Sequence, residues 1–263
     1  MSGLPVDSTD IIKVSNVSQG FVSGDEQISV LKKVNFTIKA NSFNIVFGPS
    51  GSGKSTLLNV IAGLQAPTEG SVEIGGVDPY SLNKDELARF RASRVGFMHQ
   101  TNHWVKSLNV LENVSLPLYF LGYSKDKATK LAEVALDRVN MGSYAKKTPM
   151  FLSGGEQQRI GAARALANDP LFIIADEPTG NLDSVHGDMI MNLLLNAQSE
   201  FRRTIIVVTH NMEYISLADH LINIHDGRAE SIDGKDVKKV TDELMKSIKS
   251  RINHLARTKN GEK

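Results

Sequence analysis

One short segment, Gly48 to Ser55, constrains the fold of this chain more than any other. It reads Gly-Pro-Ser-Gly-Ser-Gly-Lys-Ser, follows the apolar run Phe43 to Phe47 and precedes a helical pattern from Thr56 to Leu64. The sequence therefore predicts a strand, a glycine-rich turn and a helix, in that order. Backbone N–H groups in such a turn, together with those at the helix N-terminus, converge on one place and bind phosphate. We expect this segment to hold a nucleoside triphosphate.

Each residue type in the segment has an expected task. The glycines let the chain curl tightly, and Lys54 places a positive charge near the outer phosphates, where it is also a candidate catalytic residue. The Ser55 hydroxyl is the expected ligand of a magnesium ion. An ordinary Gly/Ser turn is the alternative, and the flanking strand and helix patterns disfavour it. The candidate phosphate-binding residues are Gly48, Pro49, Ser50, Gly51, Ser52, Gly53, Lys54, Ser55 and Thr56.

The rest of the chain predicts the fold around this segment. Alternating and β-branched stretches at Ile11 to Val17 and Ile28 to Ile38 indicate a small antiparallel unit on the N-terminal side. Continuous apolar runs at Phe43 to Phe47, Leu171 to Ala175 and Thr204 to Thr209 are typical of strands covered on both faces. Helical patterns separate these runs. Strands that alternate with helices predict an α/β fold with a mostly parallel sheet.

A helical insertion is expected in this sheet. From Asn109 to Asn140 apolar residues recur at helical spacing, and no strand pattern interrupts them. A further helix is predicted from Ser153 to about Asn168. We therefore place the insertion at about residues 101–168 of a domain that spans residues 1–234.

A second glycine motif, Leu152 to Arg159, reads Leu-Ser-Gly-Gly-Glu-Gln-Gln-Arg. Ser153, Gly154 and Gly155 supply a second group of donors at a helix N-terminus, although a plain N-cap would also place them there. The eight fixed positions resemble the signature motif of ABC-type ATPases, and this resemblance covers roughly Ile11 to Ile232. It implies the P-loop NTPase core of that family and ATP with Mg²⁺ as ligands. It also implies a head-to-tail dimer in which the signature of one copy meets the γ-phosphate held by the other.

Two adjacent carboxylates, Asp176 and Glu177, follow the apolar run Leu171 to Ala175. The pair matches the Walker B motif of the family. Neighbouring residues of a strand point to opposite sides, so we expect the two carboxylates to have different tasks. The resemblance implies that Asp176 acts on magnesium and that Glu177 is the general base for the attacking water.

Four further residues match landmarks of the family. Gln100 resembles the Q-loop glutamine, a magnesium ligand, and Asp183 belongs to a match with the D-loop, which meets the opposite copy. His210 resembles the switch histidine that contacts the γ-phosphate, whereas alone it would be read as a hydrogen-bonded residue at a strand end. Phe21 resembles the aromatic residue that stacks on adenine, although it could instead cover the core.

The C-terminal segment, residues 235–263, is predicted to be a basic amphipathic helix and tail. It carries nine Lys or Arg residues against four Asp or Glu, a balance of +5 in a chain whose net charge is +1. A solvated helix face is the more common reason for such charge, and contact with an anionic partner is the other. Helical spacing of apolar residues predicts an apolar face made of Val237, Val240, Leu244, Ile248, Ile252 and Leu255.

Within the family, the motifs look most like the separate ATPase subunits of lipoprotein-release and macrolide or peptide exporters. That likeness implies an energy-coupling subunit that drives a separate transmembrane permease from the cytoplasmic face of the membrane. We hypothesise that His103 and Trp104, just after Gln100, form part of the groove for this partner. The alternative for Trp104, the only tryptophan, is that it fills the core of the helical insertion.

Two other classes remain open at this stage. One is a cell-division regulator at the membrane, and the other is an ABC ATPase that clamps nucleic acid or ribosomes. DNA-repair members would carry a long coiled coil between the two glycine motifs, whereas here Ser55 and Leu152 are only 97 positions apart. We therefore expect no nucleic-acid partner. The chain contains no cysteine, which excludes disulfides, cysteine nucleophiles and thiolate metal sites.

Overall fold

A computed structural model describes residues 10–23, 26–234, 236–244 and 246 of the chain. Within this part, strands form two sheets and α-helices lie around them. The strands are β1 (Asp10–Ser23), β2 (Glu26–Lys39), β3 (Phe43–Phe47), β4 (Glu69–Ile74), β5 (Val95–Met98), β6 (Phe172–Asp176), β7 (Thr204–Val208), β8 (His220–His225) and β9 (Arg228–Asp233). The helices are α1 (Lys54–Ile61), α2 (Lys84–Arg94), α3 (Val110–Phe120), α4 (Lys125–Arg138), α5 (Gly154–Leu166) and α6 (Ser184–Ser199).

The larger sheet has the strand order β5-β6-β7-β3-β8-β9. All neighbouring strands are parallel except β9, which pairs with β8 in an antiparallel hairpin. Every residue of β3 and β7 is buried, because both faces of the sheet are covered. Alternate residues of β3 therefore enter different cores: Phe43 and Ile45 face the helical side, and Val46 faces the smaller sheet.

The smaller sheet has the order β2-β1-β4 and is antiparallel throughout. Val14 in β1 lies opposite Phe36 on one side and Val72 on the other, and all three side chains are buried. Helix α1 contributes Leu57 and Leu58 to the same core. The predicted α/β fold, with a mostly parallel sheet and an antiparallel N-terminal unit, is confirmed.

Helices α3, α4 and α5 pack against one another in the segment predicted to be a helical insertion. Their buried residues, such as Val114, Ala132 and Ile160, join the core on the helical side of the large sheet. Asn113 is fully buried in α3, where its amide donates to the carbonyl oxygens of Leu108 and Asn109 at 3.0 and 2.9 Å. This side chain fixes the loop that enters the insertion.

The C-terminal helix begins as predicted and packs on the domain. Residues 236–244 are helical, Val237 is buried, and Val240 and Leu244 pack against the core on the helical side. The other three predicted apolar positions, Ile248, Ile252 and Leu255, lie outside the described residues. Across the part of the chain that is described, the helices are too short or too polar to cross a membrane.

Candidate functional site

The loop between β3 and α1 contains glycines that are required for two different reasons. Some leave no room for a Cβ, and some have a backbone conformation that other residues rarely adopt. Gly48 has a φ of +147°, and a Cβ there would lie 3.0 Å from the carbonyl carbon of Ile224 and closer still to its oxygen. Gly53 has a φ of +106° and touches Leu31 and Val30. Gly51, with a φ of +78°, faces open space, so only its backbone conformation demands glycine. The loop therefore curls around an open centre, as the sequence predicts.

Helix α1 begins at this loop, and no side chain caps its N-terminal N–H groups. Its N-cap is Gly53, which makes no side-chain capping hydrogen bond, whereas Ser153 and Asp183 cap α5 and α6. The first N–H groups of a helix have no acceptor within the helix and carry the positive end of its dipole. These N–H groups of α1 are therefore available to an anion that lies in the loop.

Lys54 folds its side chain back over the loop. Its Nζ donates to the carbonyl oxygens of Gly48 and Pro49, both at 2.8 Å. Burial lowers the pKa of Lys54, while the nearby carboxylates of Glu177 and Asp176 oppose that shift. The structure thus brings the loop lysine and the two carboxylates together from two separate parts of the sequence.

Asp176 is the last residue of β6, and Glu177 lies beyond the strand. Burial raises the pKa of Asp176, the charge of Glu177 raises it further, and Lys54 opposes both effects. Glu177 has a φ of +46°, in the left-handed region, and its N–H donates to the carbonyl oxygen of Val208 at 2.9 Å. Strand alternation therefore does not apply to this pair, because Glu177 lies in the turn beyond β6, and the different tasks of the two carboxylates stay a prediction.

His210 follows β7 and meets Glu177. Its Nδ1 lies 2.9 Å from Oε1 of Glu177, and its side chain is largely exposed while that of Glu177 is 17% exposed. The second carboxylate oxygen, Oε2, is buried and has no hydrogen-bond partner among the described residues. One oxygen of Glu177 is thus oriented by histidine, and the other makes no hydrogen bond within the described residues.

Gln100 lies beside the turn that carries Glu177. The amide nitrogen of Gln100 lies 3.1 Å from the position that a Cβ on Gly180 would occupy, and Cβ of Glu177 is 3.7 Å from the same position. The Gln100 carbonyl oxygen accepts from Nε2 of Gln158 in α5 at 2.9 Å. Gln100 thus lies beside the Glu177–Gly180 turn and is bonded to α5, and its role as a magnesium ligand stays a prediction.

Ser153 forms a capping box at the start of α5. Its N–H and hydroxyl donate to Oε2 of Glu156 at 2.8 and 2.9 Å, and the N–H of Glu156 lies 3.4 Å from the Ser153 hydroxyl oxygen. The N-cap reading of Ser153 is therefore correct. Gly154 and Gly155 occupy the first turn, where N–H groups have no intrahelical acceptor.

Asp183 acts within its own chain as the N-cap of α6. Its Oδ1 accepts from the N–H of His186 at 2.9 Å, and its Oδ2 lies 2.7 Å from the ring nitrogen Nδ1. These contacts, the backbone hydrogen bond first, lower the pKa of Asp183. The His186 ring also packs on Gly155, so it connects the segment around Asp183 to the second glycine motif. Sequence reasoning missed His186, although an Asp three residues before it is an N-cap signal.

Phe21 lies in the β1–β2 hairpin, opposite Ile28. The two residues are 42% and 48% exposed, and neighbouring Val22 is 81% exposed. Phe21 therefore does not cover the core, and that alternative is wrong. Stacking on adenine remains a prediction.

Trp104 and His103 line a groove of about 550 Å³ between the Gln100 loop and the start of α5. Trp104 is half-buried and packs against the core on the helical side, so it also fills space within the insertion. The reading that Trp104 fills space within the insertion is thus correct in part, and its role in a groove for a partner stays a prediction. The groove is lined by Gln100, Thr101, Asn102, His103, Trp104, Lys106, Met150, Gly154, Gln157, Gln158, Asn181 and Leu182.

The donor atoms near the loop suit a hard cation held partly by a phosphate-bearing ligand. Ser55, Gln100 and Asp176 offer hydroxyl, amide and carboxylate oxygens, the atom types that magnesium prefers. Within residues 10–23, 26–234, 236–244 and 246 there is no group of three or more His, Asp or Glu side chains that could hold a metal by itself. The hydroxyl, amide and carboxylate oxygens of Ser55, Gln100 and Asp176 fit the donor types of a magnesium ion.

Comparison with known proteins places this arrangement in context. The model of the family described as "ABC transporter" matches residues 31–180. The chain is 42% identical over 224 residues to the ABC transporter ATP-binding protein MJ0796 of Methanocaldococcus jannaschii, covering 84% of this chain and 95% of the relative. A dimeric structure of the MJ0796 cassette bound to ADP and Pi matches with a TM-score of 0.78 and 40% identity, covering 85% of this chain and 98% of that one.

A second kind of relative is longer. The macrolide export ATP-binding/permease protein MacB of Shewanella sp. is 39% identical over 246 residues. The match covers 93% of this chain and 38% of MacB.

Proposed function

We propose a role in membrane transport from the premise that this chain belongs to the ABC transporter family and is an ATPase of that family. The proposal is that it is the energy-coupling subunit of an exporter. One observation carries the catalytic part: Lys54, Asp176, Glu177 and His210 converge at the mouth of the glycine loop. The other parts rest on the relatives and on the groove.

In the proposed reaction, the loop N–H groups and Lys54 bind the phosphates of ATP. Glu177 accepts the proton of the attacking water, and His210 orients the carboxylate through Oε1. Ser55, Asp176 and Gln100 would hold magnesium, which neutralises charge on the phosphates when bound. Phe21 would stack on the adenine ring.

The active form is proposed to be a head-to-tail homodimer. MJ0796, which is related to this chain, has been solved as a dimer bound to ADP and Pi. The N–H groups of Gly154 and Gly155, together with Ser153, would approach the γ-phosphate bound by the other copy, and Asp183 would lie at the same interface. Two ATP molecules would then stabilise the dimer.

Replacing Glu177 by Gln tests the catalytic assignment. We expect Glu177→Gln to bind ATP normally, to lose hydrolysis by about 100- to 10,000-fold and to accumulate as a dimer with ATP, because the base alone is removed. Phosphate release and sedimentation in ATP measure the two effects. Lys54→Ala is the control that should lose ATP binding itself. Normal turnover of Glu177→Gln would remove this residue from the role of base.

The partner is proposed to be a separate permease chain at the cytoplasmic face of the membrane. MacB, by its name, combines an ATP-binding part with a permease. The groove lined by His103, Trp104 and Met150 would receive a cytoplasmic segment of that permease. We expect Met150→Asp to abolish co-purification with a multi-span membrane protein and to leave ATPase activity of the isolated chain intact. If co-purification persists, the groove is not the docking site.

The clamp function is disfavoured by the insertion itself. Helices α3 and α4 have 11 and 14 residues and pack on the domain, so in the described part of the chain they form no extended coiled coil. Nucleic acid in place of a membrane protein in the purified complex would support the clamp. A permease that acts in cell division would support the regulator.

A further inference from the structure

The loop that carries Gln100 is tied to one face of helix α5. Residues 157, 158, 161 and 164 lie on this face, because residue 161 is four positions from 157 and three from both 158 and 164. Nε2 of Gln158 donates to the carbonyl oxygen of Gln100 at 2.9 Å. The indole N–H of Trp104 donates to Oε1 of Gln157 at 2.8 Å. Three neighbouring loop residues are thus held by one helix, since Arg164 also donates to the carbonyl oxygen of Asn102 at 2.6 Å.

Arg164 and Gly161 complete the attachment. The Arg164 guanidinium lies over the Trp104 ring, 4.5 Å from its centroid. Burial lowers the pKa of Arg164 to about 10, so the group stays charged at neutral pH and depends on the ring and the carbonyl for its interactions. A Cβ on Gly161 would lie 3.1 Å from Cγ of Asn102 and closer still to its Oδ1. The loop therefore lies directly on the helix.

Trp104 has two contacts with α5 that differ in chemistry. Its N–H is paired with Gln157, and its ring with Arg164. Gln157 is itself fixed, because its Nε2 donates to the carbonyl oxygen of Leu152 at 2.9 Å. The chain of contacts thus runs from Trp104 to the residue just before Ser153.

We propose that Trp104 is a positioning residue for ATP hydrolysis. It fastens the Gln100 loop to α5, so that Gln100 and the segment Ser153 to Gly155 move as one body. Gln100 acts on the ATP bound by its own chain, and Ser153 to Gly155 act on the ATP bound by the other copy. This inference rests on the proposed function, because it assumes that Gln100 and the second glycine motif both act on ATP. The proposal concerns the attachment of the Gln100 loop to α5 and does not depend on the groove. Trp104 acts through α5 even without a membrane partner.

Trp104→Phe is the informative variant, because it keeps a ring for Arg164 and for the core but removes the N–H. Gln157→Leu removes the acceptor for Trp104 and also the donor to Leu152, whereas Gln157→Glu removes only the donor. Tyr119→Phe, at an exposed aromatic residue in α3, is the matched control that also loses one polar group. A hydrogen bond contributes about 0.5 to 1.5 kcal/mol, so we expect kcat to fall about two- to tenfold in Trp104→Phe and in Gln157→Leu.

The double variant separates positioning from general damage. We expect Trp104→Phe/Gln157→Leu to have the kcat of Gln157→Leu alone, because Gln157→Leu already removes the hydrogen bond to Trp104 together with the one to Leu152. The Kd for ATP should remain that of the wild type, since the glycine loop is untouched. Gln157→Glu, which keeps the acceptor for Trp104, should have a higher kcat than Gln157→Leu. Tyr119→Phe should behave as the wild type.

Two further readouts do not depend on turnover. Backbone amides of residues 99–104 should exchange hydrogen faster in Trp104→Phe, with unchanged exchange in β6 and β7. Because Trp104 is the only tryptophan, its fluorescence reports directly on the contact: in Gln157→Leu we expect stronger quenching by acrylamide. Together these measurements test the fastening even if a variant is inactive.

The proposal is overturned if the two kcat effects add, or if exchange in residues 99–104 rises while kcat stays at the wild-type value. It is also overturned if quenching in Gln157→Leu equals that of the wild type. An inactive wild-type chain would instead contradict the proposed function. In that case faster exchange and stronger quenching would still support the fastening itself.

Discussion

Gly154 and Gly155 are adjacent in α5, yet alanine should have opposite effects at the two positions. A Cβ on Gly154 would lie 3.4 Å from Cδ2 of Leu182, an ordinary contact with the end of a flexible side chain. A Cβ on Gly155 would lie 2.8 Å from Cδ2 and 3.3 Å from Cγ of His186. The His186 ring cannot simply move aside, because Asp183 binds both its Nδ1 and its N–H.

The expected magnitudes follow from two opposing terms. Neither glycine has a positive φ, so alanine gains helix propensity of about 0.5 to 1 kcal/mol at best. Overpacking a filled site costs about 1 to 3 kcal/mol. We therefore expect Gly155→Ala to lower the free energy of unfolding by about 1 kcal/mol, and Gly154→Ala to leave it unchanged or slightly raised.

Urea unfolding, followed by circular dichroism, measures both effects, and a double-mutant cycle identifies the cause. In a His186→Ala background the contact with the ring is gone, so Gly155→Ala should no longer destabilise the protein. Gly154→Ala is the control in both backgrounds. If Gly155→Ala lowers the free energy of unfolding equally with and without the His186 ring, the steric explanation is refuted.

Three other changes test the loop, a buried histidine and the C-terminal helix. Gly48→Ala should abolish ATP binding in a nucleotide titration, because its Cβ meets the Ile224 backbone, whereas Gly51→Ala should cost only the left-handed conformation, about 1 to 2 kcal/mol. Burial lowers the pKa of His99 to about 4 in the folded protein. As the pH falls below about 6.5, His99 is therefore protonated in the unfolded protein before it is protonated in the folded one. Between pH 7 and 5 the wild type should therefore lose about 1 kcal/mol more stability than His99→Phe, after allowance for a half-buried ring; equal losses in urea unfolding would contradict this. Val237→Asp, at a buried position, should lower the free energy of unfolding by about 2 kcal/mol or more, and Lys238→Asp, at the exposed neighbour, should not.

The elements that the sequence predicted best are those buried on both faces. The apolar runs predicted for β3, β6 and β7 lie within one residue of the observed strands, because continuous apolar character is the direct consequence of two covered faces. Helix α2 was missed, since it has no buried residue and hence no apolar periodicity. Its capping box, with Asn83 and Glu86, was the readable signal.

The β8–β9 hairpin was also missed, although Asp226-Gly227 at its turn is a strong local hairpin signal. The strand order could not be read from local patterns. Gly48 shows why: its close neighbour is the carbonyl of Ile224, on a strand that comes last but one in the chain. The need for glycine at position 48 is visible in the sequence as a motif, but its packing partner is set by the pairing of β3 with β8.

Glu177 shows where pattern reasoning failed for a physical reason. Strand periodicity assigns Asp176 and Glu177 to opposite sides, but the backbone leaves the β region at Glu177 and enters the left-handed region, which is rare for glutamate. Such strain persists only where the surroundings fix it, here the bond from the Glu177 N–H to Val208 and the contact with His210. The consequence is that both carboxylates affect the pKa of Lys54. The turn therefore delivers a second carboxylate to a site that a regular strand would have supplied with one.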